Sequence, residues 1–375
     1  MSIPQTARAA VIVQLKEDLV LRNDYPVKQP EALAPGECLI KLEYAGCCHS
    51  DLHAKNGDWL QKPNIPVVGG HEGVGRIVAI GPNHSADTSI KVGDRVGTKW
   101  VANTCSKCEQ CYLGNDALCP VAGTHSHGFL MDGAFADYIV SFIDYVTPIP
   151  DELPSDEAAP ILCAGLTVYR ALKQTRARIG HWVAISGAGG GLGHLGMWTT
   201  FSAAALDLYN TAKAIQYALA MGLRVIAIDT GDEKRDLCLG LGAERFIDFR
   251  KTKDLVEEVI QAAGGLGPHA ALLAVGDARP FNQALMYLRN AGTLVAVGMP
   301  PGEALLNVPI PLLVAKALHI VGSATGNQQD TLEALDLAAR GKVKCHFEVK
   351  DLAEVNNVLA AMEAGRLTGR VVFKI

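Results

Sequence analysis

Hydrophobic and polar positions alternate in short runs over the first 160 residues, then give way to longer apolar blocks. Segments 11–15, 37–44 and 73–80 are rich in apolar and β-branched residues and are interrupted by Gly, Pro or Asn. That pattern predicts short strands joined by turns. The turn Val92-Gly-Asp-Arg-Val-Gly97 leads into another short strand. From Ala158 the pattern changes. An Ala- and Leu-rich stretch over 158–172 predicts a helix. Apolar blocks at 181–186, 224–229, 245–248, 270–275 and 293–297 then alternate with helical stretches, including 234–241, 254–263 and 281–287. Continuous apolar strands separated by helices indicate a parallel sheet covered on both faces. Helices at 331–340 and 353–364 precede a final strand, 369–373, placed to return to the first domain. The expected fold is α/β. A mostly-β domain covers 1–160 and is completed by 325–375, and a parallel-sheet domain covers 161–324.

Composition narrows the function classes. The chain has 375 residues, 49% of them hydrophobic, which is ample for two ordered domains. Net charge is −5 with no long run of either sign, so no nucleic-acid or membrane-surface partner is expected. No apolar stretch reaches the length of a transmembrane helix, and no secretory or mitochondrial leader is visible, so a cytoplasmic location is expected. Ten cysteines are many for such a protein, and their crowding points to metal before disulfides.

Cys105, Cys108, Cys111 and Cys119 offer four thiolates within fifteen residues. Two-residue gaps let a tight turn aim two sulfurs at one ion, which suits a closed structural zinc site, with an iron–sulfur cluster as the competing reading. Upstream, Cys47-Cys48-His49-Ser50-Asp51-Leu52-His53 and Gly70-His71-Glu72-Gly73 supply further ligand types. With the distant Cys163 they offer two sulfurs and an imidazole, a set that leaves a position open for substrate. Taken alone, Cys163 reads equally well as a small buried hydrophobe.

The strand His181–Ser186 runs into Gly187-Ala-Gly-Gly190-Gly191-Leu-Gly193. Glycines there permit a tight turn and close approach of a pyrophosphate to a helix N-terminus. A second strand ends at Asp229, whose carboxylate suits ribose hydroxyls and favours NAD over NADP. One spacing fails. Asp229 lies 36 residues after Gly193, where about 20 are expected.

Together these segments resemble the zinc-dependent medium-chain alcohol dehydrogenases, most closely the fungal tetrameric ethanol dehydrogenases. The resemblance runs over nearly the whole chain. It is carried by Cys48-His-Ser-Asp51-Leu-His53, Gly57-Asp-Trp59, Gly69-Gly-His71-Glu-Gly73, the four-cysteine lobe at 103–121, Cys163-Ala-Gly-Leu-Thr-Val-Tyr169 and Gly298-Met-Pro300. It implies a GroES-like catalytic domain and a Rossmann coenzyme domain. It also implies two zinc ions per subunit, NAD, a small alcohol or aldehyde substrate and a homotetramer. Cys48, His71 and Cys163 would hold the catalytic zinc, with Glu72 close by as a fourth or supporting group. Cys105, Cys108, Cys111 and Cys119 would hold the structural one. Asp51 would orient His71, and Ser50 and His53 would carry the substrate proton away. His49 and Arg370 would lie near the coenzyme pyrophosphate. Gly187, Gly190, Gly191, Leu192, Gly193, Asp229, Lys234, Val275, Val297 and Met299 would line the coenzyme site. Trp59 and Trp100 would narrow the pocket.

The pattern breaks at 197–214. Removing these eighteen residues would join Gly196 to Ile215 and restore the Gly193–Asp229 spacing to eighteen. Gly196-Met197-Trp198 can be encoded with a yeast-like 5′ splice sequence, and Lys213-Ala214 with an intron-ending AG. A translated intron is the expected origin of the segment, with a genuine insertion, lengthening the helix or bulging from it, as the alternative. A polyol dehydrogenase, and a nucleotide-binding protein without turnover, share the scaffold as alternative readings. The four ligand and relay residues Cys48, His71, Cys163 and His53 weigh against the second.

Overall fold

The computed structural model describes residues 2–82, 89–187, 213–300, 304–364, 366–367 and 370–375. Its first part begins with β1 (Thr6–Ile12), β2 (Val20–Pro26), β3 (Glu37–Cys47), the helix α1 (His49–Asn56), β4 (Val67–Val68), β5 (Glu72–Ile80) and β6 (Arg95–Gly97). The one-turn helix α2 (Glu109–Tyr112), β7 (Tyr138–Phe142), β8 (Thr147–Pro148) and α3 (Ser155–Ala158) follow. Next come α4 (Ala164–Gln174), β9 (Trp182–Ser186), a helix α5 described over 213–220, β10 (Arg224–Asp229), α6 (Asp232–Gly240) and β11 (Arg245–Asp248). The order continues with α7 (Leu255–Ala262), β12 (Ala270–Leu273), α8 (Ala278–Tyr287), β13 (Thr293–Ala296), α9 (Ile310–Lys316) and β14 (His319–Gly322). It ends with α10 (Gln328–Ala339), β15 (Phe347–Asp351), α11 (Val355–Glu363) and β16 (Arg370–Lys374).

Strand order in the parallel sheet is β11-β10-β9-β12-β13-β14, the doubly wound order of a dinucleotide-binding domain. Strand β9 shows why it reads as continuously apolar. Val183 and Ile185 pack into a core shared with α4, α5 and α10, while Trp182 and Ala184 face the opposite layer with Phe281 and Tyr287. Both faces are covered, so no polar face is needed. In the other part, β15-β16-β3-β5-β6-β8 form one sheet with β7 paired to β3, and β2-β1-β4 form a second. The final strand does return there, antiparallel to β3 with Val371 opposite Cys47. Val74 and Val372 also reach the core shared with the coenzyme sheet, so the two parts meet through apolar packing.

Three expectations change. The first strand runs over Thr6–Ile12 instead of 11–15, because the small residues Ala7, Ala9 and Ala10 pack well there despite weak strand propensity. The helix expected over 158–172 is broken. A 3-10 turn at Ala159–Ile161 separates α3 from α4, because Pro160 has no N–H to continue the ladder, and Cys163, with φ −127° and ψ −73°, sits in the gap. Helix α10 starts three residues earlier than expected, where Asn327 and Asp330 cap each other reciprocally. Gly190, Gly191, Leu192 and Gly193, and residues 197–212 of the anomalous segment, lie outside the described residues. Its last two residues are described. Ala214 is fully buried, and so is Lys213, whose ammonium donates to Pro160 O at 3.1 Å.

At the N-terminal end of the parallel sheet, the imidazoles of His181 and His269 stack at 3.7 Å. Trp182 N donates to His269 Nδ1, and Arg289 stands 2.6 Å from Nε2. Burial first, then Arg289 and His181, push His269 down to about 4. Its folded pKa is below the unfolded one, so this contribution is present at neutral pH and is lost as pH falls from about 6.5 to 4. The Tm difference between pH 7.5 and pH 5 should therefore shrink by about 2–3 °C in His269→Gln. An unchanged difference in a pH series of melts would contradict this.

Candidate active site

Register places the first ligands. Gly46 of β3 pairs with Glu72 of β5, which sets Cys48, at the end of β3, beside His71. A Cβ on Gly46 would stand 2.0 Å from Glu72 Oε2, so only glycine lets this carboxylate lie over the strand. Cys163 arrives from far along the chain, at the start of α4, and its Sγ is 3.8 Å from Cys48 Sγ. Ligand atoms of Cys48, His71, Glu72 and Cys163 all lie within 4.8 Å of one another.

These residues fit a zinc ion. Tetrahedral sulfurs about 2.3 Å from zinc stand about 3.8 Å apart, which matches the Cys48–Cys163 separation. Asp51 Oδ1 accepts from His71 Nδ1 at 2.8 Å, and Asp51 Oδ2 accepts from Cys48 N at 2.7 Å. One carboxylate thus fixes the imidazole tautomer and the cysteine backbone together. It leaves His71 Nε2 buried with no hydrogen-bond partner and turned to the cluster, the atom a metal would take. Cys48 is held well below the ordinary thiol range by hydrogen bonding to Cys163 and by Arg370 and His71, so a thiolate is favoured there. Burial raises Glu72. Its Oε1 accepts from Arg370, and its Oε2 has no partner.

The four-cysteine lobe forms a second cluster, with Cys108–Cys111 and Cys105–Cys111 sulfurs 3.6 and 4.0 Å apart. Cys119 Sγ accepts from Cys105 N at 3.3 Å. The spacing again suits tetrahedral thiolates around one ion, and no open position remains.

Around the first cluster stand the residues expected for the relay and the pocket. Ser50 Oγ is 3.8 Å from Cys48 Sγ. His53 Nδ1 pairs with Asp58 at 2.7 Å, and its ring stacks edge-on with His49 at 4.7 Å. Burial pushes His49 down to about 4. Trp100 lies edge-on to His71 at 5.2 Å and to Trp59 at 5.6 Å. Phe129 completes this wall at 5.4 Å from both indoles. Nothing in its local sequence singles out Phe129, and a long-range contact alone brings it here.

Arg370, the first residue of β16, reaches the same cluster. It is fully buried and paired with Glu72, with Nε and Nη1 left without partners. At the switch point between β9 and β12, Gly187 has φ +85°, and a Cβ there would meet Val275 Cγ1 at 2.5 Å. Gly298 packs as closely on the Val275 backbone, with Val297 beside it. Asp229 ends β10 and pairs with Lys234 Nζ at 2.9 Å. Met299 is exposed.

Known proteins share this arrangement. The profile of the alcohol dehydrogenase GroES-like domain matches residues 34–151, and that of zinc-binding dehydrogenases matches 212–340. An alcohol dehydrogenase 1 from Emericella nidulans is 42% identical over 100% of this chain and 99% of its own. An alcohol dehydrogenase from Geobacillus stearothermophilus is 42% identical over 98% of this chain and 99% of its own. Among solved structures, the alcohol dehydrogenase of Aeropyrum pernix superposes with TM-score 0.80 at 29% identity, covering 98% of this chain and 100% of its own. With its GroES-like and Rossmann halves and two zinc-type clusters, the chain belongs to the zinc-binding, NAD-linked alcohol dehydrogenase family.

Proposed function

We propose that this enzyme interconverts small primary alcohols, ethanol among them, and their aldehydes with NAD. The observation that carries the reading is the aromatic wall of Trp59, Trp100 and Phe129 set directly against His71. Such a wall favours a short alkyl chain and offers no acceptor for the hydroxyl protons of a polyol. The alcohol dehydrogenase names of the fungal and bacterial relatives support it.

Cys48, His71 and Cys163 would hold the catalytic zinc, with Glu72 as the neighbouring carboxylate, and Cys105, Cys108, Cys111 and Cys119 the structural one. Bound zinc supplies Lewis acidity that lowers the barrier to losing the alcohol proton. Ser50 accepts that proton, and His53, half-buried and steadied by Asp58, passes it toward solvent. Asp51 keeps His71 in place. Gly187 and the Val275–Gly298 contact let the coenzyme backbone approach the sheet, with Val297 and Met299 beside the nicotinamide. Asp229 takes the ribose hydroxyls once Lys234 swings aside, and His49 and Arg370 supply positive or donor groups for the pyrophosphate. Exposed Ile310 and Val314 on α9, beside the open edge strand β14, support assembly of subunits into a tetramer. Among the described residues no helix is long and apolar enough to cross a membrane.

Metal analysis and NADH formation test the reading. Two zinc ions per chain and ethanol-dependent NADH production are expected. Turnover of polyols without turnover of ethanol would overturn it.

The segment 197–214 has a consequence for coenzyme affinity. Excision would bring Leu195 to the place of Lys213, a fully buried position that favours an apolar side chain. Burial already lowers the pKa of Lys213. The form lacking 197–214 should bind NAD at least about tenfold more tightly, or 1.4 kcal/mol, in calorimetric titration. Equal affinities would refute this, and a native intact mass that includes all eighteen residues would refute the intron origin.

A further inference from the structure

Lys99 is fully buried, yet no step of the chemistry uses it. Its Nζ donates to Tyr145 O at 2.7 Å, Thr147 Oγ1 at 3.2 Å and Gln328 Oε1 at 2.6 Å, and it lies 3.9 Å over the Tyr145 ring. Burial pushes Lys99 down to about 7, while three oxygen acceptors and a ring face all favour its ammonium form. Gln328 is the first residue of α10. Its side chain also donates to Val146 O, and its backbone N–H to Asp116 Oδ2. Asp116 belongs to the four-cysteine lobe and accepts from Tyr145 as well. One buried joint therefore ties the segment after β6, the 145–147 segment, the metal lobe and the start of α10.

The next residue along is Trp100. Lys99 reaches the joint while the neighbouring Trp100 ring meets His71 and Trp59. His127 clamps the same dipeptide, donating from Nδ1 to Lys99 O at 2.9 Å and from its backbone N–H to Trp100 O at 3.0 Å. With the backbone pinned on one side and the ammonium bolted on the other, the indole has little freedom to tilt.

We propose that Lys99 is a positioning residue for substrate selection: by anchoring to Gln328 at the start of α10, it sets the tilt of Trp100 and so the width of the alcohol pocket. This rests on the reading of Trp100 as a pocket wall. Lys99→Met keeps the stem and removes the ammonium. Gln328→Met removes only the α10 acceptor and keeps the test alive if the first variant fails to fold. In either one, KM for ethanol should rise about tenfold with kcat within about twofold. The preference for ethanol over butanol in kcat/KM should fall by a similar factor, and zinc content should not change. The double variant should be no worse than Lys99→Met, because both break one unit. Unchanged chain-length preference in the folded variants, or additive losses, would overturn the proposal while leaving ethanol oxidation by the wild type intact. If instead the wild type oxidises no alcohol, the functional reading fails by itself. The joint is then read from near-ultraviolet circular dichroism. A Lys99→Met difference that vanishes in a Trp100→Phe background supports it, and one that persists overturns it.

Discussion

His71→Ala is expected to lower kcat for alcohol oxidation by roughly 10³-fold or more, about 4 kcal/mol, and to remove one of two zinc ions per chain. The reason is geometric. His71 is fully buried, with Nδ1 committed to Asp51 and Nε2 without any other partner. Among the described residues His71 is the one imidazole grouped with Cys48, Glu72 and Cys163. Asp51→Asn provides a graded comparison. Its amide can still meet either His71 or the Cys48 N–H, though not both with the same strength, so a loss of about 10–100-fold in activity or metal affinity is expected. Steady-state kinetics with metal analysis on both proteins checks this. An active His71→Ala enzyme that keeps two zinc ions would remove His71 from the metal site.

The second large effect concerns stability. Cys111→Ser should cost the lobe its metal and lower Tm by more than about 10 °C, since a structural zinc contributes on the order of 10 kcal/mol to folding. The lobe has little apolar packing of its own. Its buried apolar cluster is only Val101, Cys119, Ala122 and Tyr145, and α2 is a single turn. The damage should spread. Gly114 O accepts from Asn327, Asn115 from Arg170, and Asp116 from Gln328. Losing the lobe therefore strips partners from α4 and the start of α10. Calorimetry with zinc analysis reads both quantities, and an unchanged Tm with one zinc fewer would show that the metal is dispensable for the fold.

Much of this protein was legible because its chemistry is local. Cys105, Cys108 and Cys111 sit at gaps that a single turn can close, and their sulfurs do converge. The strand–glycine–strand pattern from Trp182 to Asp229 marked the parallel sheet, since strands covered on both faces have no polar alternation. Where propensity was weak or proline intervened, boundaries shifted, as at β1 and around Pro160.

What the chain determined by itself was the inventory: two domains, two ligand sets, a nucleotide fold and a segment at 197–214 that breaks the spacing between Gly193 and Asp229. Tertiary structure decided which of those residues meet. Cys163 reads alone as a small buried hydrophobe, and only the packing of the Ala159–Ile161 turn against β3 and β5 brings its sulfur 3.8 Å from Cys48. Arg370 came with an expected role at the pyrophosphate, and the register of β16 on β3 buries it against Glu72. Phe129 and Lys99 carried no local signal at all. Their roles come from aromatic and polar contacts between segments far apart in sequence, and residue spacing along a chain cannot encode a contact that only sheet register and core packing create.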